Sequence, residues 1–231
     1  MTARAGAPTP DSRLLTPAVR CVLFDLDGTL VDTAADLGGA ANHVRKSLGL
    51  EPLPLLGYRP AASSGARGLL RVALGITPEH IDFPVRRESF LAHYRDNLSR
   101  HSRPFEGMDE TLEELESRGL KWGVVTNKPK VYTDALMRAL KLDRRAAVVV
   151  SADEAQKPKP APDPLLLACF RARVTPEECV YVGDDKRDVD AGRAAGIRTI
   201  GVTWGYEGEH PIRSWGADAL INKPEELLSL V

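Results

Sequence analysis

Arg20-Cys-Val-Leu-Phe-Asp-Leu-Asp-Gly-Thr-Leu-Val-Asp32 is a short apolar run that breaks off into carboxylates, a glycine and a threonine. Such a run, bounded by turn-forming residues, is the pattern of a buried β-strand that stops at a loop. The pattern recurs at 120–126, 146–151, 179–183 and 197–202, each short, rich in β-formers and followed by polar turn residues. Between these runs, residues 108–117, 131–140, 164–171 and 188–195 carry apolar side chains at three-to-four spacing and read as helices. Strand and helix alternate, which predicts an α/β fold: a doubly wound parallel sheet with helices on both faces and a ligand site outside the carboxyl ends of its strands. Residues 33–105 break the rhythm. They show helical stretches but no convincing strand, are punctuated by Pro52, Pro54, Pro60, Pro78 and Pro84, and hold a glycine- and serine-rich loop at 57–68, so an inserted helical lobe is expected.

The polar residues after the expected strands carry the chemistry. Asp25 and Asp27 lie one residue apart beyond the first strand, where one can bind a hard divalent cation and the other move a proton, and Gly28 permits the sharp turn. The pattern D-x-D-G-T arises by chance in on the order of one chain in several hundred, at roughly 1/20 per position. Thr126 and Asn127 end the second strand and can donate to phosphate oxygens or simply cap a helix. Lys157-Pro-Lys-Pro-Ala-Pro-Asp-Pro164 follows the third strand, and its prolines can hold either lysine in a fixed place. Gly183-Asp-Asp-Lys-Arg-Asp188 ends the fourth with a group of carboxylates suited to Mg2+. Each set alone is an ordinary polar turn. Four sets at the carboxyl ends of four successive strands of a parallel sheet converge on one edge.

On these residues the chain resembles the haloacid dehalogenase superfamily phosphatases, close to the phosphoglycolate phosphatases, over 21–231. The likeness rests on Phe24-Asp-Leu-Asp-Gly-Thr-Leu-Val-Asp32, Val125-Thr-Asn-Lys128, Lys159-Pro-Ala-Pro162 and Val182-Gly-Asp-Asp-Lys-Arg-Asp188. It implies a Rossmann-like core at 20–34 and 106–231 with an inserted α-helical cap at 35–105. It further implies Asp25 as nucleophile and metal ligand, Asp27 as acid/base whose backbone carbonyl also meets Mg2+, Asp184 as a side-chain Mg2+ ligand, and Thr126 and Asn127 as phosphate donors. Asp185 and Asp188 are expected to support the metal ligands from behind. Of the two lysines, Lys159 is favoured over Lys157, because its wording and its separation of 25 residues from Asp184 match the family's pattern. The implied reaction is Mg2+-dependent hydrolysis of a small phosphomonoester through a phospho-aspartate, with phosphoglycolate as the first substrate expected. N-acetylmuramate 6-phosphate or another sugar phosphate is the alternative, since 101–107, 122–129 and 204–206 resemble both kinds of enzyme. A phospho-receiver signalling domain is disfavoured by the helical insertion and the D-x-D order. A dehalogenase would not need the proton donor Asp27, a phosphomutase differs mainly in excluding water, and a phosphonate hydrolase would need a cap lysine, where only Lys46 occurs.

Arg67, after Ser63-Ser-Gly-Ala66 in the expected cap loop, is the candidate for gripping a substrate carboxylate, because a guanidinium can hold one bidentately. The composition sets the remaining bounds. With 231 residues, 43% of them hydrophobic, the chain can bury roughly 70% of its unfolded surface without staples. Cys21, Cys169 and Cys179 show no metal-type spacing and are expected to be reduced and buried. A net charge of −1, from 31 basic and 32 acidic side chains, offers no field for nucleic acid or anionic lipid. No apolar run approaches the ~18 residues of a membrane span, and no signal peptide is evident. A cytoplasmic monomer or homodimer acting on a small phosphorylated metabolite is expected, with residues 1–19 a disordered tail.

Overall fold

All four side chains of the first strand, β1 (Cys21–Phe24), are buried, as a strand covered on both faces requires. In the computed structural model, which describes residues 18–206 and 211–231, β1 lies between β4 (Lys121–Val125) and β6 (Cys179–Gly183). The expected tail at 1–19 lies, but for its last two residues, outside the described residues. β1 pairs in parallel with both neighbours, Phe24 opposite Val124 on one side and Val182 on the other. With β5 (Val148–Val150), β7 (Arg198–Val202) and β8 (Ala219–Ile221) the sheet runs β5-β4-β1-β6-β7-β8, parallel throughout. The edge strand β8 has only three residues, too few to give a periodic signal in the sequence.

The alternation along β1 divides the interior in two. Cys21 and Leu23 join a core with Leu165, Ala168 and Ala172 of α6 (Asp163–Ala172) and Ala191 and Ala195 of α7 (Lys186–Ala195). Val22 and Phe24 point the other way, toward Leu112 and Leu115 of α4 (Met108–Ser117) and Leu136 and Met137 of α5 (Lys130–Ala139). Helices thus cover both faces. The three cysteines are free and buried. No helix among the described residues is long and apolar enough to cross a membrane.

Between β2 (Val31–Asp32) and β3 (Arg103–Pro104), a two-residue antiparallel pair, lie α1 (Ala34–Ser47), a 3-10 segment (Leu55–Ser64), α2 (Gly65–Leu74) and α3 (Phe83–Asn97). Two sequence expectations are corrected here. β3 is a strand within 33–105, though too short to show a period. The segment 57–68 is not a loop but 3-10 helix running into α2, so Arg67 sits in the first turn of a helix. The small residues serve packing instead: a Cβ on Gly68 would stand 2.5 Å from Ser64 Cβ and 2.8 Å from Ala61 O.

The chain's return from α3 to β3 is fixed by one buried carboxylate. Asp36, in the first turn of α1, accepts the main-chain N–H groups of His101 and Ser102 and the Ser102 hydroxyl, at 2.7 to 3.0 Å. Removing this acceptor strands buried donors, each costing about 1–3 kcal/mol. Asp36→Ala is therefore expected to lower stability by about 2–4 kcal/mol in urea unfolding, with Asp36→Asn, which keeps one acceptor oxygen, losing less.

Candidate active site

Loops leaving β1, β4, β5 and β6 bring Asp25, Thr126, Lys159 and Asp184 to one edge of the sheet. At the centre is Lys159, whose ammonium, 3% exposed, lies 2.8 Å from Asp25 Oδ1 and 2.7 Å from Asp188 Oδ1. It also reaches the Tyr181 hydroxyl at 2.6 Å and Val125 O at 3.0 Å. Burial opposes its charge, but Asp188 and Asp25 hold its pKa above the ordinary lysine value. Asn127 grips the same residue from outside: its Nδ2 donates to Lys159 O at 2.8 Å and its Oδ1 accepts from Lys159 N at 2.9 Å. The Asn127 side chain, expected to meet phosphate, holds the lysine loop with its oxygen and one N–H, because a side chain with a donor and an acceptor can bind both sides of one residue's backbone; its second N–H has no acceptor among the described residues. Thr126 Oγ1 accepts from Lys128 N at 3.1 Å, and its own proton has no acceptor among the described residues. Lys157 is exposed and makes no ion pair there.

Three carboxylates, Asp25, Asp184 and Asp188, present oxygens within 4.8 Å of one another. Asp188, expected behind the ligands, is itself in this group. Burial pushes the Asp25 carboxyl up to about 6, with Lys159 pulling it down and Asp188 adding to the rise. Burial, then the negative charges of Asp25 and Asp188, carries Asp184 well above the usual carboxylate range. One lysine among three buried acids leaves a deficit of positive charge, and hard oxygen donors this close suit a small divalent cation. Asp184 is aimed by Thr29 Oγ1 and the Tyr206 main-chain N–H, each donating at 2.8 Å. Gly28, at φ +89°, and Gly205 make room for it, since a Cβ on either would fall 2.2 Å from an Asp184 atom. Asp185 turns away: it caps α7 and pairs with Arg187 through two 2.8 Å bonds, which hold its carboxyl below its ordinary pKa against burial. Arg187 also donates to Ser63 O at 2.9 Å, tying the helical insert to the sheet's edge.

Asp27 is held by two donors. Thr33 Oγ1 donates to its Oδ1 at 2.5 Å, and Lys128 Nζ stands 2.8 Å and 3.0 Å from its two oxygens. Lys128 had no role in the sequence reading beyond its place in Val125-Thr-Asn-Lys128. It is nonetheless buried, with its ammonium 4.9 Å from the Tyr94 ring centroid on α3. Tyr206 joins these parts: its hydroxyl accepts from Thr33 N at 2.6 Å and Ala34 N at 2.9 Å and donates to Asp32 at 3.0 Å. Arg59 of the insert lies 4.9 Å from the Tyr206 ring centroid and binds Asp32 at 2.7 Å and Trp204 O at 3.1 Å.

A cavity of about 370 Å3 opens over these groups between the sheet edge and the insert, bordered by Asp25, Asp27, Thr126, Lys128 and Lys159 below and Arg67, Arg87 and Tyr94 above. The model for haloacid dehalogenase-like hydrolases matches residues 22–202. The chain belongs to that family. This hydrolase is 38% identical over 214 residues to the N-acetylmuramic acid 6-phosphate phosphatase of Pseudomonas aeruginosa, covering 92% of the chain and 95% of the relative. It is 40% identical over 212 residues to the phosphoglycolate phosphatase of Xanthomonas campestris pv. campestris, covering 90% and 94%. Its fold matches the crystal structure of a predicted phosphoglycolate phosphatase from Haemophilus somnus with a TM-score of 0.81 and 27% identity, covering 92% of this chain and 97% of that one.

The tight seat of Asp184 in this hydrolase has a measurable consequence. Gly205→Ala drives a methyl into Asp184 and is expected to lower stability by about 1–3 kcal/mol in urea unfolding. Gly39→Ala in α1, where an added Cβ meets nothing within 4 Å, is expected to be neutral or stabilising by up to about 1 kcal/mol.

Proposed function

We propose that the chain is a Mg2+-dependent phosphomonoester hydrolase that passes through a phospho-aspartate on Asp25. The observation carrying this reading is Asp25 at the end of the central strand, bound to the buried Lys159 and bordering the cavity under the insert, with Asp184 beside it. Asp25 and Asp184 would hold Mg2+ by their side chains and Asp27 by its backbone carbonyl. The cation, when bound, would neutralise phosphate charge and so lower the barrier to attack by an anion. Asp25 attacks phosphorus in line and the ester P–O bond breaks, while Asp27 delivers a proton to the leaving oxygen. Water then attacks the acyl phosphate, Asp27 takes its proton, and Asp25 is released. Lys128 and Thr33 orient the Asp27 carboxyl for both transfers. Lys159 screens the nucleophile from Asp188, and Thr126 offers its free hydroxyl proton to a phosphate oxygen.

We further infer that residues 35–105 act as a cap over a core made of 20–34 and 106–231, excluding water as the site closes. Phosphoglycolate and N-acetylmuramic acid 6-phosphate, the compounds named for the relatives, each join a phosphomonoester to a carboxylate. Arg67 and Arg87 give the cavity roof cations for such a second anion, so the substrate is read as a small phosphorylated carboxylic acid, of which phosphoglycolate is the simplest. Buried free thiols agree with a cytoplasmic setting.

Asp25→Asn is expected to abolish hydrolysis of p-nitrophenyl phosphate while leaving the thermal melt intact. Chelation with EDTA should stop turnover and Mg2+ restore it; activity persisting in a demetallated sample would overturn the metal assignment. Lys159→Ala should cost on the order of 100-fold or more in kcat and also lower the thermal melt, since it leaves Asp25 and Asp188 buried without their cation, whereas Lys157→Ala should change neither.

A further inference from the structure

We propose that α3 is the specificity element of this site, and that Arg87 binds a carboxylate at the far end of a ring-sized phosphomonoester such as a phosphorylated sugar acid. The proposal rests on the phosphatase reading above and narrows its substrate class.

Arg87, Phe90, Leu91 and Tyr94 all border the cavity. Their spacing of three, four and seven places them on one face of α3, which therefore lies along the cavity roof. One end of this face is anchored at the chemistry: the buried Tyr94 ring meets Lys128, and Lys128 holds Asp27. Arg87 lies seven residues earlier, about 10 Å along the helix axis at 1.5 Å per residue. Phe90 and Leu91 occupy the distance between. The roof thus runs from the phosphate end, across an apolar stretch, to a guanidinium.

The partners and positions of the other cations single out Arg87. Lys159 pairs with Asp25 and Asp188, Lys128 with Asp27, Arg187 with Asp185 and Arg59 with Asp32. Arg67 borders a second cleft of about 710 Å3 as well as the active-site cavity, whereas Arg87 borders the active-site cavity and not that cleft. Arg87 is exposed and has no ion-pair partner among the described residues. A guanidinium bordering a cavity without a counter-ion is set to take an anion from the ligand.

Phosphoglycolate separates phosphorus from its carboxyl carbon by one oxygen and one methylene, so with its phosphate at Asp25 it does not span the roof to Arg87. A hexosamine 6-phosphate with a carboxylate on an ether across the ring spans the roof, placing the ring under the apolar stretch and the carboxylate at Arg87. A cavity of about 370 Å3 falls in the range of about 300–1,000 Å3 that encloses ligands of that larger size. Contact with a remote group of the substrate also raises kcat/KM by favouring the closed state in which the reaction occurs.

The test is kcat/KM for the wild type, Arg87→Ala and Arg87→Lys on N-acetylmuramic acid 6-phosphate, N-acetylglucosamine 6-phosphate, phosphoglycolate and p-nitrophenyl phosphate, all with Mg2+. The wild type should prefer the first. Arg87→Ala should lose on the order of 30-fold or more on that substrate alone, as expected for a desolvated charge pair, with Arg87→Lys in between. N-acetylglucosamine 6-phosphate, which has the ring without the carboxylate, and the two smaller esters should fall far less. An equal loss on all four would make Arg87 a residue of cap closure, and a wild-type preference for phosphoglycolate would rule out the long substrate. Either result overturns the proposal while turnover of p-nitrophenyl phosphate leaves the phosphatase reading standing. No turnover of any ester would end both.

Discussion

A lysine ammonium buried between two carboxylates is the constraint around which the molecule is organised. Lys159 arrives on a loop after β5, Asp25 on the central strand and Asp188 on α7, so one charge cluster ties three separate segments together. Burying any one of these groups alone would be costly, and the cost falls only when the partners arrive with good geometry. Asn127 supplies that geometry by clasping the lysine's backbone on both sides, and Tyr181 caps the ammonium from within the sheet. The cluster remains short of positive charge, a setting that suits a small divalent cation.

A second layer couples this centre to the helical insert. Tyr206 touches Asp184 through its main chain, the start of α1 through its hydroxyl, and Arg59 through its ring. Thr33, at the same junction, holds Asp27. Movement of the insert about residues 32–34 would therefore be felt at both acidic positions.

Much of this was legible in the sequence because it depends on local pattern. Short apolar runs ending in polar turns marked β1, β4, β5, β6 and β7, and three-to-four spacing marked α4 to α7 nearly to the residue. The meeting of Asp25, Asp27, Thr126, Lys159 and Asp184 at one sheet edge was legible because each follows a strand end or sits in a proline-stiffened loop. The tiny strands β2 and β3 were missed because two residues carry no period, and β8 because it lacks the longer apolar run, 146–150, that surrounds the equally short β5. The 57–68 segment was misread because glycine and serine mark both loops and close helix contacts, and only the nearness of Ser64 and Ala61 to Gly68 tells them apart.

The sequence by itself determined the α/β class, the order of strands and helices, and the set of acidic, hydroxyl and basic groups at one sheet edge. These follow from periodicity and from residues adjacent in the chain. The tertiary structure alone decided that Asn127 clasps the lysine's backbone, that Lys128 holds Asp27, that Lys159, already favoured over Lys157 by its wording, is buried between Asp25 and Asp188, and that Arg87 borders the cavity with no ion-pair partner among the described residues. Those outcomes depend on contacts between residues up to 134 apart, such as Lys159 with Asp25, and on which helix face lies over which strand end. A side chain's partners across such distances are fixed by sheet order and by the seating of the insert, neither of which leaves a mark in the neighbouring sequence.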